Sequence, residues 1–216
     1  MRPLLLTTTV LTLLLLPSWA GAQWSIGPSV VISIPTADFS NVSGVGGGFG
    51  VKAVRELKMG FGLRGDFAYL SHGKEFQSIS TISGVFPAEV RHQSFRLAAG
   101  GQYMLHVAEG FNLYASALGG FYWFRTNINL NTAVGFFQLE GRSEAALGWN
   151  FGGGFQYDFG LGPLLDIGLE YQTIYNISSE FEIRDPSGEV IGTEKRDITA
   201  NEFLIKVGVT FFLGKQ

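Results

Sequence analysis

Cysteine is absent from all 216 residues. No disulfide framework can therefore brace the fold in an oxidising compartment. Charge is scarce as well: Asp, Glu, Lys and Arg make up 15 % of the chain, against a usual share of about 25 %. The net charge of −3 lacks the basic footprint of a nucleic-acid partner. Past the first sixteen residues, no segment approaches the roughly 18 uninterrupted apolar residues of a membrane-spanning helix.

What the chain has in excess is glycine, 30 residues of 216, and aromatics at 14 %. Its start, "MRPLLLTTTVLTLLLLPSWAGAQ", has the layout of a secretory leader. Arg2 supplies the positive end, Leu4 to Leu16 a short apolar run, and Ala20-Gly21-Ala22 a small-residue cleavage site. The expectation is a leader over 1–22 and one exported domain over 23–216.

A period of two runs through that domain. In "LGWNFGGGFQYDFG", Leu147, Trp149, Phe151, Phe155 and Tyr157 alternate with Gly148, Asn150, Gly152, Gln156 and Asp158. Such alternation marks a β-strand with two unlike faces. It recurs from Trp24 to Ile34, Val45 to Ala53, Met59 to Tyr69, Phe95 to Tyr103, Phe111 to Phe124, Leu165 to Tyr175 and Phe203 to Leu213. Eight strands of about ten residues follow. The links between them alternate in length. "RELK", "MLHVAEG" and "FGLGP" are short, whereas 35–44, 70–92, 125–146 and 177–200 are long. Short and long links then lie at opposite ends of one antiparallel sheet. The last long link carries its own turn signal, Asp185-Pro186-Ser187-Gly188, so the two final strands are expected to continue beyond the wall.

Two closed architectures suit eight such strands: a soluble barrel with an apolar interior, or a membrane barrel with an apolar exterior. Volume decides. The interior of eight strands is only wide enough for ordinary side chains, and the apolar face holds Phe49, Phe61, Phe67, Phe95, Phe121, Trp123, Trp149, Phe151, Phe155 and Phe211. Electrostatics agrees, because Arg64, Asp66, Arg96, Asp166, Glu170, Glu202 and Lys206 all share the opposite parity. On a lipid face each Arg or Lys would cost about 2–4 kcal/mol at mid-bilayer. Buried charges persist only when paired, which leads us to expect a polar lumen network with Arg64–Glu170 or Glu170–Lys206 contacts. Aromatics gather into two girdles, with Tyr69, Trp123, Trp149 and Tyr175 at the long-loop end and Trp24, Tyr103, Phe111, Tyr157 and Phe211 at the short-turn end. The fold class expected is an all-β, eight-stranded antiparallel transmembrane β-barrel.

With this leader, these eight alternating strands and the closing segment "FLIKVGVTFFLGKQ", the chain resembles the small eight-stranded outer-membrane β-barrels, the OmpX-like and OmpA-transmembrane-like group often labelled porin family. The resemblance implies a place in the cell outer membrane of a Gram-negative envelope. It also implies contact with outer-membrane lipid and lipopolysaccharide, and handling by the outer-membrane assembly machinery through the terminal aromatic, here Phe211 or Phe212. A surface protein ligand would be held by the long loops. No cofactor, metal or catalytic residue is expected. A structural envelope role leads, with a narrow channel for ions or small solutes as the alternative. A lipid A-modifying enzyme stands third, because "HQS" sets His92 and Ser94 two apart on the lumen parity with no carboxylate placed to orient the histidine. His72 and His106 read as solvated loop and turn residues.

Overall fold

Alternation on this scale becomes antiparallel pairing. The structure, a computed structural model, describes residues 23–41, 43–73, 75–81, 84–132, 135–143, 145–184 and 190–213. The leader, the Asp185–Gly188 turn signal and the tail after Leu213 lie outside them. The elements are β1 (Trp24–Thr36), a 3-10 turn (Ala37–Asn41), β2 (Gly46–Glu56), β3 (Phe61–His72), β4 (Glu75–Thr81), β5 (Gly84–Ala108), β6 (Phe111–Thr132), β7 (Gly135–Ser143), β8 (Ala146–Asp158), β9 (Leu164–Arg184) and β10 (Val190–Leu213).

Pairing runs β1–β2–β3–β5–β6–β8–β9–β10 and returns to β1, all antiparallel, so the sheet closes into an eight-stave barrel. β4 and β7 are not extra staves. β4 pairs with the upper part of β5, and β7 with the upper parts of β6 and β9. They extend the wall above β3 and β8. The expected ten-residue strands and the loops at 70–92 and 125–146 are therefore corrected: β5 runs 25 residues, β6 22, β9 21 and β10 24. A transmembrane strand needs only about 9–11. The upper segments read as links because their sequences keep the two-faced alternation less regularly than the lower staves do.

Along the lower staves the faces separate cleanly. On β3 every even residue from Gly62 to His72 is buried, while Phe61, Leu63 and Phe67 are exposed. The outward row carries no partner layer of protein, as a lipid-facing surface requires. The β2–β3 link is tight: Met59 and Gly60 both take left-handed conformations (φ 62° and 80°) and Phe61 N–H donates to Lys58 C=O. Two central residues at positive φ make a type I′ hairpin turn. The third stave therefore begins at Phe61 rather than at Met59.

Apolar side chains fill the long-strand end of the lumen. Val31, Leu70 and Leu204 pack inside, and above them lie Phe39, Tyr122, Phe124, Ala146, Ile174, Ile177 and Ala200. Phe39 comes from the 3-10 turn, which folds inward over the barrel. Its ring stands 5.4 Å from that of His72, edge-on, and 6.3 Å from that of Phe124. An apolar plug at the loop end was not legible from periodicity, because Phe39 belongs to no repeating strand.

Candidate functional site

Inward positions of a narrow barrel bring staves from opposite sides into contact. Arg64 on β3 donates from Nη2 to Asp66 Oδ2 (2.7 Å) and, across the lumen, to Glu170 Oε1 on β9 (2.6 Å). Its Nη1 donates to Ser116 Oγ at 3.1 Å. Arg96 on β5 pairs with Asp66 and lies 3.5 Å from Glu170 Oε2. Lys206 on β10 places Nζ 2.9 Å from Asp66 Oδ2 and 2.8 Å from Glu170 Oε2. Two carboxylates are thus shared by three cations. All five side chains are at most 7 % exposed, so each ion has exchanged its water for protein partners. Such a set is stable only while every member is present. Asn150 completes it, donating to Glu170 Oε2 at 2.8 Å.

A second pair sits nearer the short turns. Lys52 on β2 meets Asp166 on β9, and Asp166 also accepts from Tyr114 Oη (2.9 Å), Gln156 Nε2 (2.6 Å) and Thr210 Oγ1 (2.9 Å). The Tyr114 ring carries Lys52 Nζ 4.7 Å from its centre and Arg64 Cζ 6.0 Å away, linking the two clusters by cation–π contact. Glycine makes this possible at Gly168, where a Cβ would stand 2.5 Å from Tyr114 Oη. Between the clusters lies a cavity of about 10 Å³ lined by Lys52, Arg64, Asp66, Tyr114, Asp166 and Lys206, among others. That is room for about one water.

Glu202 stands apart from the central set. Its partners are Gln172, Ser33 and His72. His72 Nε2 lies 3.1 Å from Glu202 Oε2 and 3.2 Å from Ser33 Oγ, with both ion-pair side chains fully buried. His72 is therefore no solvated loop residue; Gly46 opposite it in register leaves room for its ring against the wall. Gln172 also accepts from Arg96 Nη1 at 2.8 Å, so polar contacts run without a break from His72 down to the central carboxylates.

The HQS pair is buried in the same wall. His92 Nδ1 lies 2.9 Å from Thr126 Oγ1, and its ring stands 6.0 Å from that of Phe39. His106 is exposed, near the β5–β6 turn. Sequence reasoning set Lys52, Tyr114, Asn150, Gln156 and Gln172 on the polar parity without assigning them to the network, and it misread His72 as a loop residue. Lys52 shares the parity of Gly46, Gly48 and Gly50 and could have been read as a lumen cation. Its partner 114 residues away gave no local signal.

On the outer face, Tyr69, Trp123, Trp149 and Tyr175 stand at the long-strand end. Trp149 Nε1 donates to Tyr175 Oη at 2.7 Å, and the Trp149 ring stacks on Phe151 at 5.2 Å. At the other end, Trp24 pairs in register with Leu213, Phe61 with Tyr103, and Phe111 with Tyr157.

A closed eight-stave barrel with bulky apolar residues outside and an ion-paired interior is the architecture of an outer-membrane β-barrel. The sequence model of the outer membrane protein beta-barrel domain matches residues 6–211, and the chain belongs to that family. In fold it is similar to Neisserial surface protein A (14 % identity over 88 % of this chain and 98 % of that one, TM-score 0.53). A major outer membrane protein from Thermus thermophilus is also similar (11 % identity over 88 % and 99 %, TM-score 0.60). At these identities the likeness is one of fold. No curated protein sequence matches the chain.

Proposed function

We propose that this protein is a structural barrel of the outer membrane whose lumen is closed, and whose interactions are made by the wall that rises beyond the bilayer. The observation that carries this reading is the sharing of Asp66 and Glu170 by Arg64, Arg96 and Lys206, beside a cavity large enough for about one water. An ion or solute would have to break several fully buried ion pairs to pass. The reading places the leader 1–22 on the exported precursor, both chain ends in the periplasm, and lipid and lipopolysaccharide around the outward rows. Insertion is left to the outer-membrane assembly machinery. The polar set Arg64, Asp66, Arg96, Asp166, Glu170, Glu202 and Lys206 then acts as an internal brace. The Trp24, Tyr103 and Tyr157 row and the Tyr69, Trp123, Trp149 and Tyr175 row anchor the barrel at the two interfaces.

Surface binding falls to the tall strands. β10 pairs with β9 from Val190, but with β1 only from Asn201 onward. Among the described residues, 190–200 therefore present one sheet edge without a strand partner. A free edge is a template for an extended segment of a partner protein.

Planar-bilayer recording tests the closed lumen. The expected trace for the purified protein shows no discrete conductance steps. Reproducible conductance steps of uniform size would give the channel reading the lead.

A further inference from the structure

The outward face of the lower wall is almost free of charge. Arg55 is the exception. It lies in β2, where the sequence suggests a turn, and is paired in register with Trp24 on one side and Leu63 on the other. No register shift intervenes, so it shares the face of Phe49, Val51 and Ala53. Below Arg91 and Arg125 it is the only ion on that face among the described residues.

Its surroundings differ from those of every lumen cation. Lys52, Arg64, Arg96 and Lys206 each meet a carboxylate. Arg55 meets a ring: Cζ lies 5.7 Å from the Trp24 centroid. The residue is 7 % exposed, and its Nε is a buried donor without an acceptor. Among the described residues no carboxylate stands within ion-pair reach of it. A guanidinium that has lost most of its water needs an anion, and its planar fork matches a phosphate best. Its place in the row of Trp24 puts that anion at the headgroup level of the bilayer.

We infer that Arg55 binds the phosphodiester of a phospholipid headgroup at the short-turn end of the barrel, with the Trp24 ring holding the guanidinium flat against the wall. The inference rests on the reading that the outward face meets lipid. It adds a specific lipid contact to a surface otherwise described only as apolar.

The test uses the protein refolded in a maltoside detergent, which carries no phosphate. Dihexanoyl phosphatidylglycerol, inorganic phosphate and dihexanoylglycerol are added in separate titrations. The Arg55 Nε–H and Trp24 indole N–H resonances are followed by NMR. A doxyl-labelled fatty acid in the micelle reports independently whether Trp24 lies in the apolar phase. We expect both resonances to shift saturably with the phospholipid alone. Arg55→Gln should raise the half-saturation point read at Trp24 by about tenfold or more, the worth of one hydrogen bond to a charged group. Arg55→Lys should fall between, keeping the charge but not the fork. If Trp24 is relaxed by the doxyl label but neither resonance responds to phospholipid, the lipid site is wrong while the membrane barrel stands. Equal shifts with inorganic phosphate would also overturn it, making Arg55 a general anion site. If the doxyl label leaves Trp24 untouched, the outward-face reading fails and the lipid site fails with it.

Discussion

Arg64 Nη2 donates to Glu170 Oε1 at 2.6 Å although the two residues are 106 positions apart. In the ring of staves, β3 and β9 stand four places apart, so this bond crosses the lumen along its diameter. Neither ion has water to fall back on, and Glu170 also holds Lys206 and Asn150. The pair therefore ties opposite walls together, and its energetics differ from those of a surface salt bridge.

Removing one end of that tie should be costly. Glu170→Ala strands Arg64 and Lys206 without one of their carboxylates, and the expected loss is about 3–5 kcal/mol. Equilibrium unfolding in lipid vesicles measures it. The double variant Glu170→Ala with Arg64→Met should lose clearly less than the sum of the singles, because it removes a cation along with its partner. Additive losses would mean that the ions do not depend on one another.

Gly168 offers a sharper test of packing. A Cβ there would stand 2.5 Å from Tyr114 Oη, with its next contacts at 3.7 Å. Gly168→Ala should therefore destabilise by about 1–3 kcal/mol. In a Tyr114→Phe background the clashing oxygen is gone, and the same substitution should cost measurably less. An equal cost in both backgrounds would show that the strand itself, and not the tyrosine, rejects the methyl group.

The plug at the loop end makes a third prediction. Phe39 is 2 % exposed and closes over His72 and His92. Phe39→Ala should leave the barrel folded but lower its unfolding free energy by about 3–5 kcal/mol. It should also speed amide hydrogen exchange at Ser33 and His72 beneath it. Unchanged exchange there would mean that the 3-10 turn does not seal the lumen.

How much of this was legible beforehand follows from where two faces meet unlike surroundings. The shared parity of Arg64, Asp66, Arg96, Asp166 and Lys206 was legible because each strand confines its ions to one of two unlike faces. The eight staves followed from the same constraint. β4 and β7 did not: "EFQSIST" has no clean alternation, and "GFFQLEGRS", which sets Phe137 and Leu139 against Gln138, Glu140 and Arg142, lies within a stretch that reads as a long link. Phe39 was hidden in a turn without period. His72 was misread because it follows the last outward aromatic of β3, Tyr69, at the point where a strand was expected to end. Arg55 was hidden by a boundary too: the step from strand to turn fell two residues later than the composition of "RELK" suggested.

The absence of native cysteine allows the central claim to be tested with two neighbouring side chains of opposite parity. Phe155 faces outward and is half-buried, while Gln156 is 2 % exposed and donates to Asp166 inside. Phe155→Cys and Gln156→Cys would be made singly and treated in intact outer membranes. One reagent is a small water-soluble maleimide and the other a lipid-soluble one. The account expects Phe155→Cys to react only with the lipid-soluble reagent and Gln156→Cys with neither. Ready labelling of Gln156→Cys from water would contradict the closed lumen, and labelling of Phe155→Cys from water would contradict the lipid-facing exterior.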